Sequence, residues 1–198
     1  MAARLDLPHL AYGDIAVRPL RRADREEWGA LQADNDAWLR PWLATSPDSG
    51  RPLSFREQLA SVRRAAREGE GLTLVVEDDG KLIGSVAAHS LVYGPLWTAS
   101  LGYWVAKASA GRGIAPTAVA MLMDHLLDDV GIHRIEVEIR PENERSIRVA
   151  QKLGLVEEGR RRALMFVDGS WRDHRSFAHV AGDLGAGPSA VLRHVTGR

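Results

Sequence analysis

The chain contains no cysteine, and that one absence removes disulfides, thiolate metal sites and cysteine nucleophiles from its chemistry. Its seven histidines show no HExxH or comparable ligand spacing, so metal-free chemistry is expected. No apolar run approaches the roughly 20 residues that a membrane helix needs. The opening Met1-Ala-Ala-Arg-Leu-Asp-Leu-Pro8 lacks the apolar core of a signal peptide, and a soluble, cytoplasmic protein is the expectation. Net charge is also missing. Lys plus Arg and Asp plus Glu number 26 each, so the summed field gives no general attraction for nucleic acid or an anionic membrane, and any such contact has to be local. What remains is 198 residues at 45% hydrophobic content, which supports one well-buried domain and leaves little room for two.

The most informative stretch present is Trp104-Val-Ala-Lys-Ala-Ser-Ala-Gly-Arg-Gly-Ile-Ala-Pro116. It reads as a strand, a glycine turn and a helix start. Ala110, Gly111, Arg112, Gly113, Ile114, Ala115 and Pro116 would bring consecutive backbone N–H groups together at the positive end of a helix, an arrangement suited to a pyrophosphate. Pro116 fits the first turn, Val119, Leu122, Met123, Leu126, Leu127 and Val130 recur at helical spacing, and Gly131 ends the run. A Rossmann fingerprint would want a third small residue where Pro116 stands, and a P-loop would want Lys then Ser or Thr after the last glycine. Neither is met. A glycine turn entering any helix would look similar, so the rest of the chain has to decide.

Residues 1–14 read as a leader, 15–181 as the domain and 182–198 as a flexible tail. Within the domain, an edge strand Ile15–Leu20 precedes a helix from Asp24 to about Leu39, capped by Asp24 and stopped by Pro41. Ser54 and Glu57 make a capping box for a second helix. Its apolar face carries Phe55, Leu59, Val62 and Ala66, and its other face, with Arg63, Arg64, Arg67 and Glu68, reads as solvated surface. Leu72–Glu77 and Leu82–Ala88 form a hairpin across Asp78–Lys81, and a further strand runs from Ala99 to Ala106. After the helix at Pro116 come a strand Arg134–Ile139, a helix Glu144–Leu153, and a hairpin within Leu164–Val180 around Asp168-Gly169.

That order, together with Leu101-Gly-Tyr-Trp-Val105, Gly111-Arg-Gly-Ile-Ala115, Gly131-Ile-His-Arg-Ile-Glu136 and Arg140-Pro-Glu-Asn-Glu-Arg-Ser146 through Lys152-Leu-Gly154, resembles the GNAT superfamily of acyl-CoA-dependent N-acetyltransferases, in particular its RimJ/RimL branch. The resemblance covers about residues 15 to 180. It implies an α/β (α+β) fold with a central mixed, mostly antiparallel sheet of six to seven strands, splayed between the fourth and fifth, and about four helices. It also implies acetyl-CoA as cosubstrate, its pyrophosphate on the Arg112 to Pro116 amides, its pantetheine pairing with the backbone of Tyr103, Trp104 and Val105, and Asn143 orienting the same arm. Where the family's loop usually starts with Gln or Arg, this chain has Ala110.

Acetyl transfer needs an uncharged amine, a polarised carbonyl and a proton for the departing thiolate. The resemblance offers a backbone N–H near Val105 for the carbonyl. For the base it offers Glu138, five residues before Asn143, against which stands the reading that Glu136, Glu138 and Arg140 share a strand face and pair with neighbouring charges. RimL-type enzymes place a glutamate on the next strand, where this chain has Met165. The tyrosine acid common in the superfamily is replaced by Ala150, which leaves Ser146, as in RimL-like enzymes, against its reading as a helix-start residue. Trp38, Trp42 and Trp171 would contact the acceptor, although the first two also fit a core-facing pair, and Arg160 to Arg162 read as a solvated loop.

The acceptor implied is the N-terminal α-amine of a ribosomal or similar protein or peptide. A small amine such as an antibiotic, polyamine or amino acid is the alternative, and a non-catalytic CoA-binding module a third. Magnitude favours the first. An α-amine near pKa 7.8 is about 3.5 kcal/mol easier to deprotonate at neutral pH than a lysine near 10.4. No direct nucleic-acid or membrane partner is expected, and the oligomeric state would be monomer or homodimer.

Overall fold

Short turns with glycine in the left-handed region connect long strands, and a computed structural model shows the sheet that results. It describes residues 5–48, 51–185 and 187–197. Strands β1 (Leu10–Tyr12), β2 (Ile15–Pro19), β3 (Leu72–Asp78), β4 (Lys81–Val92), β5 (Thr98–Val105), β6 (Arg134–Ile139), β7 (Val156–Val167) and β8 (Ser170–Val180) form one sheet in the order β1-β2-β3-β4-β5-β6-β8-β7. Every neighbouring pair is antiparallel except β5 and β6. The β3–β4 turn has Asp79 and Gly80 at φ 50° and 72°, and the β7–β8 turn has Asp168 and Gly169 at φ 46° and 76°. Two consecutive positive values match the right-handed twist of the strands.

Alternation along β3 divides the interior. Leu72, Leu74 and Val76 face the main core under α3 (Ile114–Asp124) and α4 (Glu144–Lys152), whereas Val75 faces Leu20, Trp28, Leu59 and Leu82 beneath α1 (Arg25–Leu39) and α2 (Phe55–Glu68). α2 begins as the sequence predicts: the Ser54 hydroxyl accepts from the Glu57 N–H, the Glu57 carboxylate accepts from the Ser54 N–H at 2.8 Å, and Gly69 at φ 71° ends it. α1 differs. Asp24 precedes it, but its carboxylate turns inward to Arg18 at 2.8 Å and accepts from the Arg21 N–H, because a buried guanidinium needs a counter-charge more than a solvated helix end needs a cap.

Three expectations are corrected. The leader is not free of structure: Leu10–Tyr12 pairs with β2, and buried Leu5 donates its N–H to the Ala66 carbonyl at 2.9 Å. The tail is not loose over its length. Ala190–Thr196 forms α5, with Val191 wholly buried, because the Asp124 carboxylate of α3 accepts the N–H groups of Val191 and Leu192 at 2.9 Å and caps the short helix from outside. β7 starts at Val156, well before Leu164, and its exposed residues up to Ala163 show none of the alternation that marks a half-buried strand. Among the described residues eight strands and five α-helices therefore stand, close to the six to seven and about four expected. Among the described residues no helix is long and apolar enough to cross a membrane.

Candidate active site

β5 and β6 pair at Thr98–Arg134, Ala99–Ile135 and Ser100–Glu136, and then separate. Each follows its other neighbour: β5 stays on β4 as far as Gly84–Val105, and β6 stays on β8 as far as Ile139–Arg175. Gly84 permits this. A Cβ there would lie 2.2 Å from the Trp104 carbonyl oxygen and 2.9 Å from the Val105 Cα, so only glycine lets β5 lie this close to β4. With the Trp104 carbonyl on the β4 side and the Ala106 N–H bonded to the Ile83 carbonyl at 2.7 Å, alternation turns the backbone groups of Tyr103 and Val105 toward the opening. The wedge expected between these two strands is present.

At the mouth of the wedge, the Lys107 N–H donates to the Asn35 side chain at 2.9 Å and fixes the start of the glycine loop. Gly111 and Gly113 sit at φ 82° and 81° with open space where a Cβ would be. Gly113 is the cap residue of α3, and no side chain caps this helix. Its first N–H groups are thus left for a ligand, and the helix dipole favours an anion there. The Arg112 side chain instead pairs with Asp78 at 2.7 Å. The loop's conformation, not its one basic side chain, is what suits a pyrophosphate.

Asn143 caps α4 through its Oδ1, which accepts the Ser146 N–H at 3.2 Å. The cap is therefore Asn143, and the Ser146 hydroxyl has no hydrogen-bond partner among the described residues. Across the wedge, the Tyr103 hydroxyl donates to the Ser146 carbonyl at 3.2 Å, and burial pushes this phenol up to about 12. Only a backbone role was expected for Tyr103, yet its side chain spans to the first turn of α4. Nothing in the linear pattern signals it, since the contact depends on how far β5 and α4 stand apart.

Glu138 is half of a buried pair. Its side chain is 7% exposed, the Ser176 hydroxyl donates to it at 2.8 Å, and Arg161 lies 3.2 Å away. Arg134 holds Glu136, and Arg140 holds Glu142. The charge-pairing expected as the alternative to catalysis is present, and Ser176, which the sequence reading did not single out, stands directly opposite Glu138 on β8, on the side of β6 away from the wedge. Met165 lies opposite Arg172 on β8.

Trp38 and Trp42 are not a core pair. The Trp38 indole donates to the Val105 carbonyl at 3.2 Å under the Arg145 guanidinium, 4.6 Å from its ring centroid. Arg140 lies 5.4 Å from the Trp42 ring and donates to the Pro41 carbonyl at 2.7 Å. The C-terminal end of α1 thus closes over the ends of β5 and β6. Trp171 stands at the tip of the β7–β8 hairpin, which docks just beyond this end of α1, where the Thr45 N–H donates to the Phe166 carbonyl at 2.9 Å and Ala44 pairs with Val167. Alternation along β8 places it on the opposite face from Ser176, 57% exposed and edge-on against Phe166.

The family described as Acetyltransferase (GNAT) domain matches residues 14–156. A probable N-acetyltransferase of Bacillus subtilis, YjcK, is 31% identical over 83% of this chain and 92% of its own. The [ribosomal protein uS5]-alanine N-acetyltransferase of Escherichia coli is 27% identical over 76% of this chain and 80% of its own. In structure, RimJ of Mycobacterium smegmatis in complex with CoA-disulfide superposes with a TM-score of 0.84 at 34% identity, covering 93% of this chain and 90% of that one. A wedge with a free strand edge, an uncapped helix behind a glycine loop and these similarities agree: the chain belongs to the GNAT family of acetyltransferases.

Proposed function

We propose that the protein acetylates the N-terminal α-amine of a protein or peptide, with acetyl-CoA as donor and a ribosomal protein as the favoured acceptor. The observation that carries the donor is the joined wedge and loop: the β5 edge at Tyr103 and the Val105 N–H, the Val105 carbonyl being already taken by the Trp38 indole, run toward the uncapped start of α3 at Gly113. A strand-like pantetheine pairing with that edge would end its pyrophosphate at those N–H groups. When bound, the cosubstrate supplies the activated acetyl group.

The residues of this chain then divide the work. The Val105 N–H polarises the acetyl carbonyl. Glu138 takes the proton that the attacking amine loses, its carboxylate held in place by the Ser176 hydroxyl, which donates to it at 2.8 Å. Ser146, whose hydroxyl is free of the helix cap, protonates the departing thiolate. Trp38 and Trp42 form one wall for the acceptor at the end of α1. The α-amine is supported by the 3.5 kcal/mol or so by which it is easier to deprotonate than lysine, and a ribosomal acceptor by the relative named a [ribosomal protein uS5]-alanine N-acetyltransferase.

Release of CoA thiol, read with a thiol-reactive dye on this cysteine-free chain, tests the reading with Ala-, Ser- and Met-starting peptides beside polyamines and aminoglycosides. Turnover confined to peptides with free N-termini is the expected result. Turnover with a small amine alone would replace the acceptor, and binding of acetyl-CoA without turnover would replace the activity.

A further inference from the structure

A second surface, on the opposite side of the sheet from the glycine loop, is unexplained by acetyl transfer. α2 carries Arg56, Arg63 and Arg67 at intervals of seven and four residues, which at 100° per residue puts them within about 40° of one another in a row about 16 Å long. Across a cleft of about 640 Å³ that also holds Ser54, Phe55 and Leu59, Arg22 and Arg25 at the start of α1 face Arg56. Among the described residues none of these five guanidiniums has an ion-pair or hydrogen-bond partner. Most nearby carboxylates are committed elsewhere: Glu57 to Arg51 and Ser54, Asp24 to Arg18, Glu27 to the Leu82 N–H, and Glu68 and Glu70 to Arg64, while Glu26 in the first turn of α1 forms no ion pair with Arg22 or Arg25. Asp6, beside Arg63 and Arg67 in a smaller adjoining cleft, forms no ion pair with either.

A chain of zero net charge that sets five unpaired arginines on one face concentrates its positive field there. We propose that this face docks the phosphate backbone of a single-stranded or looped nucleic acid. Planar guanidinium forks match phosphate oxygens in pairs. The half-buried Phe55 ring at the cleft adds the aromatic surface on which an unpaired base stacks, which an acidic peptide would not use. The surface begins about 20 Å along α1 from Trp38, far enough that the acceptor wall stays open while it is occupied. The proposal goes beyond the acetyl-transfer reading and does not depend on it.

Fluorescence anisotropy with a labelled 12-nucleotide single-stranded RNA, repeated with the same DNA sequence and with poly-aspartate, tests it across a salt series. Five phosphate contacts at about 0.7 each give a log–log salt slope of about −3.5, a loss of about 10²-fold between 50 and 200 mM salt. The triple variant Arg56→Ala, Arg63→Ala, Arg67→Ala should flatten the slope to about −1.4, and Arg22→Gln with Arg25→Gln to about −2.1. Both are read at unchanged thermal midpoint, so that loss of fold is not mistaken for loss of contacts. RNA and DNA binding alike would mark backbone recognition, and RNA alone would add the 2′-hydroxyl; either supports the proposal. It is overturned by no binding at 50 mM salt, by a slope that neither variant changes, or by poly-aspartate binding as tightly with the same sensitivity to the variants.

Discussion

The hydroxyl of Tyr103 donates to the carbonyl of Ser146 at 3.2 Å, joining β5 to the first turn of α4 across a wedge that backbone pairing leaves open. Both walls of the site therefore move together, and the tie is a phenol that burial holds neutral. Its folded value of about 12 lies above the ordinary 10. The stabilisation is thus complete below pH 10 and is lost as pH rises toward 12, at a maximum on the order of 2–3 kcal/mol. Tyr103→Phe should cost about 1 kcal/mol at neutral pH and should flatten the fall in stability between pH 10 and 12. Urea melts of both proteins across that range check it, and parallel curves would mean that burial does not hold the phenol neutral.

Proton transfer predicts a graded series. Ser146→Ala and Glu138→Gln should each lower kcat at least tenfold, and Ser176→Ala, which frees the Glu138 carboxylate without removing it, should lower kcat less, with little change in KM. If Ser176→Ala lowers kcat as far as Glu138→Gln does, the hydroxyl takes part in the proton transfer itself. If neither Ser146→Ala nor Glu138→Gln reaches tenfold, both assignments fall.

How much of this was legible in the sequence follows from the range of each interaction. The Ser54–Glu57 cap, the Asp79-Gly80 turn and the Gly111–Gly113 loop are local, and residues a few positions apart specify them. The opening between β5 and β6 was legible only through family resemblance, because its physical cause, the close approach of β4 at Gly84, is a contact between residues 20 apart. Tyr103 to Ser146, Ser176 to Glu138 and Asp124 to Val191 are longer-range still. No periodicity records them. Trp171 is the converse case: its residue type suits a binding wall, but where it stands depends on the docking of the β7–β8 hairpin beside Thr45 and on its register on β8, neither of which is local.

Two glycines separate shape from strain. Gly84→Ala would drive a methyl to 2.2 Å from the Trp104 carbonyl and push β5 toward the wedge, whereas Gly113→Ala meets open space and only strains a residue at φ 81°. The second should cost about 1 kcal/mol of stability and weaken acetyl-CoA binding in proportion to the distorted loop. The first should cost several times more, on the order of 2–4 kcal/mol, and abolish acetyl-CoA binding through the closed strand edge. Thermal melts with and without acetyl-CoA distinguish them: the Gly113→Ala protein should keep a reduced ligand-induced stabilisation, and the Gly84→Ala protein should keep none.

Asp124 carries the C-terminal helix. Its carboxylate is held above the ordinary carboxylate range, first by burial, with its hydrogen bonds to the Leu192 and Val191 N–H groups and Arg193 pulling the other way. Replacing it with alanine leaves two buried donors without an acceptor, at about 1–3 kcal/mol, more than a seven-residue helix can recover from its own propensity. Asp124→Ala should therefore release α5 from α3 without unfolding the sheet. Limited trypsin digestion reads this at Arg193, which lies within α5: cleavage there should become fast in the variant while fragments from β3 to β6 stay protected. Equal cleavage rates at Arg193 in both proteins would mean that the burial of Val191 alone holds the helix.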